Sequence, residues 1–367
     1  MALFQRIKKW GEEQMAISEK KFGVTKDGTE VYIYEISNAN GSVLQVSNLG
    51  AMTISLRVPD RNNKLTDVIL GYDTVEEYEK NGGYLGAVIG RCGNRIAKGK
   101  FTINGVEYQM VINENDNNLH SGPDVYHLKV WEIKALDEIK NSITFYHRSP
   151  DKEQGFPGNF DICVTYELTN DNELWLHYEG VCDQDTVANM TNHSYFNLGG
   201  HDSGSVRDHE LCINADKFTE IKDAASIPTG KLVDVVGTPM NFIYSKKIGT
   251  DMDADYDMLK MTGGYDHNFA TNDYEKGVIR DVARAYCDKT GIAMTVSTDL
   301  PGLQFYCGNG IDHLPGKGGA VYEKNGGFCL ETHYFPNAIN QPNFISPLLK
   351  AGEVYKTSTC YQFTVEK

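Results

Sequence analysis

Short segments that alternate apolar and polar residues recur almost from one end of the chain to the other. Such alternation is typical of β-strands with one solvated face. The clearest segments are 31–36, 43–47, 51–58, 67–70, 142–147, 162–168, 174–181, 292–298 and 359–365. Asn-Gly pairs, which suit the positive φ angles of hairpin turns, begin at residues 40, 81, 104 and 325. Because convincing helical segments are few, the chain is predicted to be all-β.

Two hairpins and one helix can be predicted individually. Segments 101–103 and 106–108 flank an Asn-Gly turn, and segments 162–168 and 173–181 flank a turn of Thr, Asn and Asp residues. Thr74 is followed three residues later by Glu77, the pattern of a capping box at the start of a short helix. The first twenty residues are a second candidate for a helix.

The chain has 367 residues, which is longer than one domain usually is. It contains neither a linker rich in Pro, Gly and Ser nor a repeat of fixed period. Strand patterns continue across the whole length, so two separate domains are disfavoured. We predict an N-terminal extension over residues 1–22, followed by one large β-sandwich domain over residues 23–367.

Charge and composition exclude several classes of function. The net charge is −15, so the average surface field would repel a nucleic acid. There is no apolar run of the length of a signal-peptide core or a membrane span, and we expect a cytoplasmic protein without a membrane partner. Eight cysteines are present without a Cys-x-x-Cys pair, which predicts reduced, mostly buried thiols rather than zinc ligands or disulfides.

Motifs of several common enzyme classes are missing from the sequence. There is no Gly-x-Gly-x-x-Gly between a strand and a helix and no Walker loop, which disfavours NAD and nucleoside triphosphates. His-Glu-x-x-His and Gly-x-Ser-x-Gly are also missing, which weakens the case for a zinc hydrolase or a serine hydrolase. We therefore expect neither a metal nor a cofactor.

Two polar residues stand out within strand-like segments. His193 lies among Asn, Ser and aromatic residues in segment 189–200, where it could act as a proton donor or be a hydrogen-bonded core histidine. Glu331 follows the apolar segment 328–330 and is predicted to end a buried strand. A buried carboxylate needs a partner or a purpose. Catalysis and a structural ion pair remain open at this point.

Other candidates carry weaker signals. Asp266 and His267 are adjacent and could bind sugar hydroxyls, bind a metal or close a turn. Arg91, Arg95 and His120 could donate hydrogen bonds to hydroxyl groups, or be solvated loop residues. Residue chemistry alone thus predicts a β-rich enzyme or sugar-binding protein without naming a reaction.

Six segments, in order along the chain, resemble the signatures of the galactose mutarotase (aldose 1-epimerase) family. They are 86–101, 118–122, 191–198, 265–269, 301–306 and 328–332. Two residues depart from the family pattern: Gly93 replaces the usual Ala, and His333 replaces a frequent Gln two residues after Glu331. The second departure could alter the pKa of Glu331 or the sugar preference.

The resemblance implies an antiparallel β-supersandwich that interconverts the α and β anomers of free hexoses, such as glucose and galactose, through the open-chain aldehyde. It implies no cofactor or metal, a small sugar as substrate, and a monomer or homodimer. His193 would be the general acid and Glu331 the general base. Sugar hydroxyls would be held by Asn94, Arg95, His120, Asp266 and Gln304. Tyr195, Phe196, Tyr306 and Phe335 are candidates for lining the groove.

Three alternatives remain on sequence grounds. A mutarotase-like enzyme for sugar phosphates would need a cationic pocket, for which Arg91, Arg95, Lys98 and Lys100 are the candidates. A non-catalytic sugar-binding protein on the same fold could dispense with the acid or the base. An NAD-dependent 4-epimerase is disfavoured because the dinucleotide loop is missing.

Overall fold

The computed structural model describes residues 16–367. The strands in this part of the chain are β1 (Ala16–Val24), β2 (Glu30–Ser37), β3 (Val43–Ser47), β4 (Thr53–Pro59), β5 (Leu65–Asp67), β6 (Ala87–Ile89), β7 (Arg95–Ile96), β8 (Lys100–Ile103), β9 (Val106–Gln109), β10 (Asn118–Leu119), β11 (Glu132–Asp137), β12 (Ser142–Ser149), β13 (Phe160–Leu168), β14 (Glu173–Cys182), β15 (Thr186–Val187), β16 (Thr191–His193), β17 (Glu210–Ile213), β18 (Lys217–Ile221), β19 (Pro228–Asp234), β20 (Lys246–Lys247), β21 (Asp266–Ala270), β22 (Arg280–Cys287), β23 (Ile292–Thr298), β24 (Gly302–Tyr306), β25 (Leu314–Pro315), β26 (Val321–Tyr322), β27 (Cys329–His333), β28 (Leu348–Leu349) and β29 (Val354–Val365). The α-helices are α1 (Val75–Glu79) and α2 (Asp257–Thr262).

Three sheets dominate the molecule. The largest has nine strands in the order β11-β12-β13-β14-β29-β23-β22-β17-β20, and two five-stranded sheets have the orders β1-β2-β3-β4-β5 and β19-β18-β21-β24-β27. All pairings between the named strands are antiparallel. The predicted all-β antiparallel fold is therefore confirmed.

The sheets pack face to face over a hydrophobic core. Alternate residues of β13 are buried along its whole length, as expected for a strand with one inner and one solvated face. The hydroxyl of Tyr361, on β29, donates a hydrogen bond of 3.0 Å to the carbonyl oxygen of Leu330, on β27. The nine-stranded sheet thus contacts the strand that carries Glu331.

Most of the individually predicted elements are confirmed. Segments 43–47 and 292–298 coincide with β3 and β23, and the two predicted hairpins are β8–β9 and β13–β14. Helix α1 begins after Thr74, and both hydrogen bonds of the capping box with Glu77 are present. The prediction of a strand over 67–70 is largely wrong, because β5 ends at Asp67. Residues 68–70 are fully buried apolar residues that cross the core outside the named strands.

The amino-terminal part is described only from residue 16. Strand β1 crosses the boundary predicted after residue 22 and pairs with β2, so the helix considered for the first twenty residues is wrong for residues 16–20. The remainder of that segment lies outside the described residues. The extent of the N-terminal extension stays a prediction.

Two further expectations concern cysteines and membranes. All eight cysteines are unpaired, six are buried and two are partly buried, as the sequence predicts. No helix in residues 16–367 is long and apolar enough to cross a bilayer.

A buried ion pair ties the loop after β25 to the first sheet. Lys317 Nζ lies 2.7 Å from Asp67 Oδ2 and donates hydrogen bonds to the carbonyl oxygens of Ile54 and Ile69. The Lys317 side chain is 9% exposed, and burial lowers its pKa against the opposing effect of Asp67. Asp67 thus compensates a charge that water hardly reaches.

Replacing Asp67 with Asn should leave this ammonium group unpaired and reduce the free energy of unfolding by about 3–5 kcal/mol. Urea denaturation measures the loss. A matched control is Glu76→Gln, which breaks the exposed pair with Lys80 and should cost at most about 1 kcal/mol. Equal losses in the two variants would contradict the role assigned to Asp67.

Candidate active site

Three neighbouring strands, β21, β24 and β27, form the floor of the site. Their register places Gln304 directly between Asn268 and Glu331, and Tyr306 opposite Asp266. Directly opposed residues of antiparallel strands point to the same face of the sheet. These side chains therefore form one polar surface, while the opposite face of the same strands belongs to the hydrophobic core.

The side chains of His193 and Glu331 are in contact at this surface. Glu331 lies in the middle of β27, not at its end as predicted. Strand β16 packs beside β27 and places His193 Nε2 3.7 Å from Glu331 Oε1. Both residues are buried, with 5% and 2% of their surface exposed. The two candidates for proton transfer are thus in contact in a site nearly shielded from water.

Arg95 is held at the edge of the site by a carboxylate. Its Nε and Nη2 donate hydrogen bonds of 2.8 and 2.6 Å to the two carboxylate oxygens of Glu114. Its Nη1 lies 3.9 Å from Asp266 Oδ2. A bidentate arginine–carboxylate pair fixes the guanidinium plane as well as its position, so Arg95 is oriented before a ligand arrives.

His120 and Asn94 form a second set of donors. Strand β7 pairs with β10, which brings His120 to Asn94, and the backbone N–H of Asn94 donates a 3.1 Å hydrogen bond to His120 Nδ1. Since Nδ1 accepts, a neutral His120 carries its proton on Nε2. The Asn94 side chain accepts from the backbone N–H of Arg95 and lies 3.5 Å from His333 Nε2.

These groups surround a cavity of about 530 Å³, which is within the range of small-molecule sites. The residues predicted as catalytic or sugar-binding that line it are Asn94, Arg95, His120, His193, Asp266 and Glu331. Gln304 lies beneath them and donates a 2.6 Å hydrogen bond from Nε2 to Asp266 Oδ1. Residues from six separate segments of the chain therefore lie together at one site.

The sequence profile of the family described as aldose 1-epimerase matches residues 32–362. The chain belongs to this family. Among its relatives, the galactose mutarotase of Homo sapiens is 39% identical over 88% of this chain and 91% of its own length. The aldose 1-epimerase of Escherichia coli (strain K12) is 35% identical over 93% and 97%, respectively.

Solved structures agree with this assignment. The galactose 1-epimerase from Lactobacillus acidophilus NCFM superimposes with a TM-score of 0.82 at 26% identity, over 96% of this chain and all of that chain. The galactose mutarotase-like β-supersandwich expected from the resemblance is thereby confirmed. This aldose 1-epimerase is an isomerase that interconverts the anomers of aldoses.

The residues proposed for a phosphate pocket do not converge in the epimerase. Arg91 is fully buried and donates hydrogen bonds to Ser149, Thr186 and two backbone carbonyl groups. Lys98 and Lys100 are not among the residues that line the cavity. Of the four candidates only Arg95 reaches it, and its guanidinium group is already paired with Glu114.

Some groove residues were placed wrongly or missed by sequence reasoning. Tyr195 and Tyr306 line the cavity as expected, but Phe196 packs in the core against Tyr361, and Phe335 is not part of the lining. The missed residues include Glu114 and also Tyr84, whose ring lies 4.8 and 5.8 Å from the rings of His120 and His193. No local motif signals either residue.

Burial opposes charge on both members of the central pair. It raises the pKa of Glu331 well above the ordinary value of a carboxyl group, with Asp266 adding to the effect and Arg95 opposing it. Burial also lowers the pKa of His193 to about 4, although Asp266 raises it. Burial therefore outweighs the effect of Asp266 on the His193 pKa, and both groups favour their neutral forms.

A metal ion does not suit this donor set. His120, His193 and Glu331 offer ligand atoms within 4.8 Å of one another, a spacing that a cation could use. However, His120 Nδ1 already accepts a hydrogen bond from the backbone N–H of Asn94. The proton of the neutral ring is then on Nε2, so neither ring nitrogen has a lone pair free for a metal ion. His267, the other metal candidate, points to the opposite face of the sheet from Asp266 and packs against Phe218.

The ion pair of Arg95 yields a kinetic prediction. Glu114→Gln keeps the shape but turns an amide N–H toward the guanidinium group, so Arg95 should lose its fixed orientation. We expect KM for D-glucose to rise about tenfold with a smaller change in kcat. Glu107→Gln, which disrupts an exposed pair with Lys100, is the control. An unchanged KM in Glu114→Gln would show that Arg95 needs no such support.

The buried histidines predict acid sensitivity. Burial lowers the pKa of five of them to about 4, and it lowers the pKa of His120 well below the ordinary value; the five are His127, His193, His209, His267 and His333. An unfolded histidine has a pKa of about 6.5, so between these values the six histidines bind more protons in the unfolded chain than in the folded protein. They outnumber Glu331, whose raised pKa acts in the opposite direction. The free energy of unfolding should therefore decrease as the pH falls from about 6.5 to about 4.

Urea denaturation between pH 7.5 and pH 5 measures this decrease. In His209→Gln the dependence on pH should be weaker, because one of the contributing groups is removed. His313→Gln, whose parent side chain is 80% exposed, should leave the slope unchanged. A free energy of unfolding that stays constant down to pH 5 would refute the assignment.

Proposed function

We propose that the epimerase acts on free hexoses, including D-glucose and D-galactose, with Glu331 as general base and His193 as general acid. The observation that carries this proposal is the contact of 3.7 Å between the two groups at the floor of the cavity. The hydroxyl oxygen O1 and the ring oxygen O5 are both bonded to C1 of the sugar. The acid and the base that serve them must therefore lie close together.

In the proposed reaction the only sugar protons that move are those bonded to oxygen. Glu331 takes the proton of the C1 hydroxyl while His193 gives a proton to O5, the bond between C1 and O5 breaks, and the open-chain aldehyde forms. Rotation about C1–C2 presents the other face of the carbonyl group. The reverse transfers then close the ring as the opposite anomer and restore both protonation states.

The charged form of the pair needs support from the bound sugar and from Arg95. Burial favours neutral Glu331 and neutral His193, whereas the proposed step starts from carboxylate and imidazolium. Arg95 lowers the Glu331 pKa, and sugar hydroxyls can solvate the carboxylate. Glu331 Oε2 makes no hydrogen bond to any residue in 16–367, so it is available for this contact.

The remaining polar residues are proposed to hold the other hydroxyls. Arg95 and His120 Nε2 are donors, and Asp266 is an acceptor. Asn94 lies between Arg95 and His333, and Gln304 holds Asp266 from below. The supporting observation is that these donors and acceptors converge on the cavity that contains the acid–base pair.

We further propose that the enzyme works in the cytoplasm on small sugars and not on nucleic acids. All eight cysteines are unpaired within the described part of the chain, as suits a reducing compartment. The net charge of −15 disfavours contact with a polyanion.

Removing either member of the pair tests the assignment. Glu331→Gln keeps the shape but cannot accept the O1 proton, and His193→Asn cannot protonate O5. In each variant kcat, measured by polarimetry of freshly dissolved α-D-glucose, should fall about 10²-fold or more. Glu323→Gln, at an exposed carboxylate, is the control. Turnover near that of the unmodified enzyme in folded Glu331→Gln would refute Glu331 as base.

A further inference from the structure

Asn268 is a buried amide without a protein partner. It lies in the polar row of the site floor, directly opposite Gln304, and only 2% of its surface is exposed. Neither Oδ1 nor Nδ2 has a hydrogen-bond partner among residues 16–367. An unpaired buried polar group is destabilising, so a partner from outside the chain is expected.

The side-chain amide of Gln304 also has one atom without a hydrogen-bond partner. Its Nε2 donates to Asp266 Oδ1 at 2.6 Å, whereas its Oε1 is buried and lacks a partner in the described part of the chain. The amide is thus fixed at its donor end only. If it turned over, its carbonyl oxygen would face the Asp266 carboxylate and the hydrogen bond would be lost.

A small cavity adjoins both amides. Its volume is about 10 Å³, and the residues lining it include Asn94, Arg95, Thr219, Ser226, Asn268 and Gln304. A polar cavity needs roughly 10–15 Å³ to hold one water molecule, together with two to four polar partners. The space is too small for a sugar ring, and its lining supplies both donors and acceptors.

Gly302 indicates how the Asn268 amide is oriented. A Cβ atom at this position would lie 2.6 Å from Asn268 Oδ1, so the carbonyl end of the amide is packed over the glycine. The amino end, Nδ2, is then the atom left to donate a hydrogen bond to an occupant of the small cavity.

We propose that this cavity binds one water molecule, which accepts a hydrogen bond from Asn268 Nδ2 and donates one to Gln304 Oε1. The water completes the hydrogen bonds of the Gln304 amide and keeps Nε2 directed at Asp266. Asn268 is therefore a positioning residue for Gln304 and Asp266. The effect on sugar binding rests on the function proposed above, whereas the hydration site does not.

Crystal structures of the full chain, with and without D-galactose, test the hydration site directly. We expect one water within about 2.7–3.2 Å of Asn268 Nδ2 in both crystals. A cavity without water in sugar-free crystals, or a sugar hydroxyl in place of the water in the complex, would overturn the proposal. The result does not depend on activity, so failure here is distinct from failure of the proposed function.

Kinetics test the positioning role. Asn268→Leu removes the donor at similar volume and should raise KM for D-galactose about tenfold, with kcat changed by less than about threefold. Asn268→Ser keeps a hydroxyl donor and admits a second water, so its KM should remain near that of the unmodified enzyme. An unchanged KM in folded Asn268→Leu, or a tenfold rise in Asn268→Ser, would contradict the role.

Two comparisons separate positioning from a general loss of structure. Asn141 is also fully buried, but its amide donates to the carbonyl oxygens of Ser37 and Leu168. Asn141→Leu should therefore lower the melting temperature without changing KM.

Combining Asn268→Leu with Gln304→Leu should give the KM of Gln304→Leu alone, because both substitutions interrupt one chain of contacts. Additive effects on KM would show that Asn268 does not act through Gln304.

Discussion

The burial of a carboxyl group beside an imidazole is the constraint on which the site depends. Glu331 and His193 are both nearly inaccessible to water, and burial disfavours a charge on each of them. Their environment must therefore supply the polar contacts that water would otherwise provide. Arg95, itself paired with Glu114, supplies a compensating charge, and the ligand pocket contributes donors and acceptors around it.

The antiparallel sheets make this arrangement possible. Strands β21, β24 and β27 have an apolar face in the core and a polar face beneath the cavity, so rigid backbone hydrogen bonds fix the spacing of their side chains. The proposed acid comes from β16, and the proposed sugar-binding donors come from β7 and the residue after β10. Short strand pairs and loops thus bring groups from distant parts of the sequence to one hydrogen-bonded floor.

The sequence predicts the fold well because the signals for it are local. Alternating segments and the capping box at Thr74 correspond to observed elements. The strand prediction is wrong for the apolar segment 68–70, because a buried segment without regular secondary structure has no characteristic spacing of apolar residues. Most candidate site residues could be predicted because they lie in segments that resemble family motifs. Glu114 and Asn268 were missed since their significance depends on contacts with Arg95 and Gln304, which no spacing along the chain reveals.

We expect the enzyme to move protons only between the sugar oxygens and an acid–base pair of side chains, without a metal. NMR exchange spectroscopy of D-glucose in D2O, with enzyme dialysed against a chelator, tests it most directly. We predict that the enzyme accelerates exchange of the H1 signals between the two anomers while C1 and C2 keep their protons. Loss of the H2 signal, or exchange that requires an added divalent ion, would contradict it.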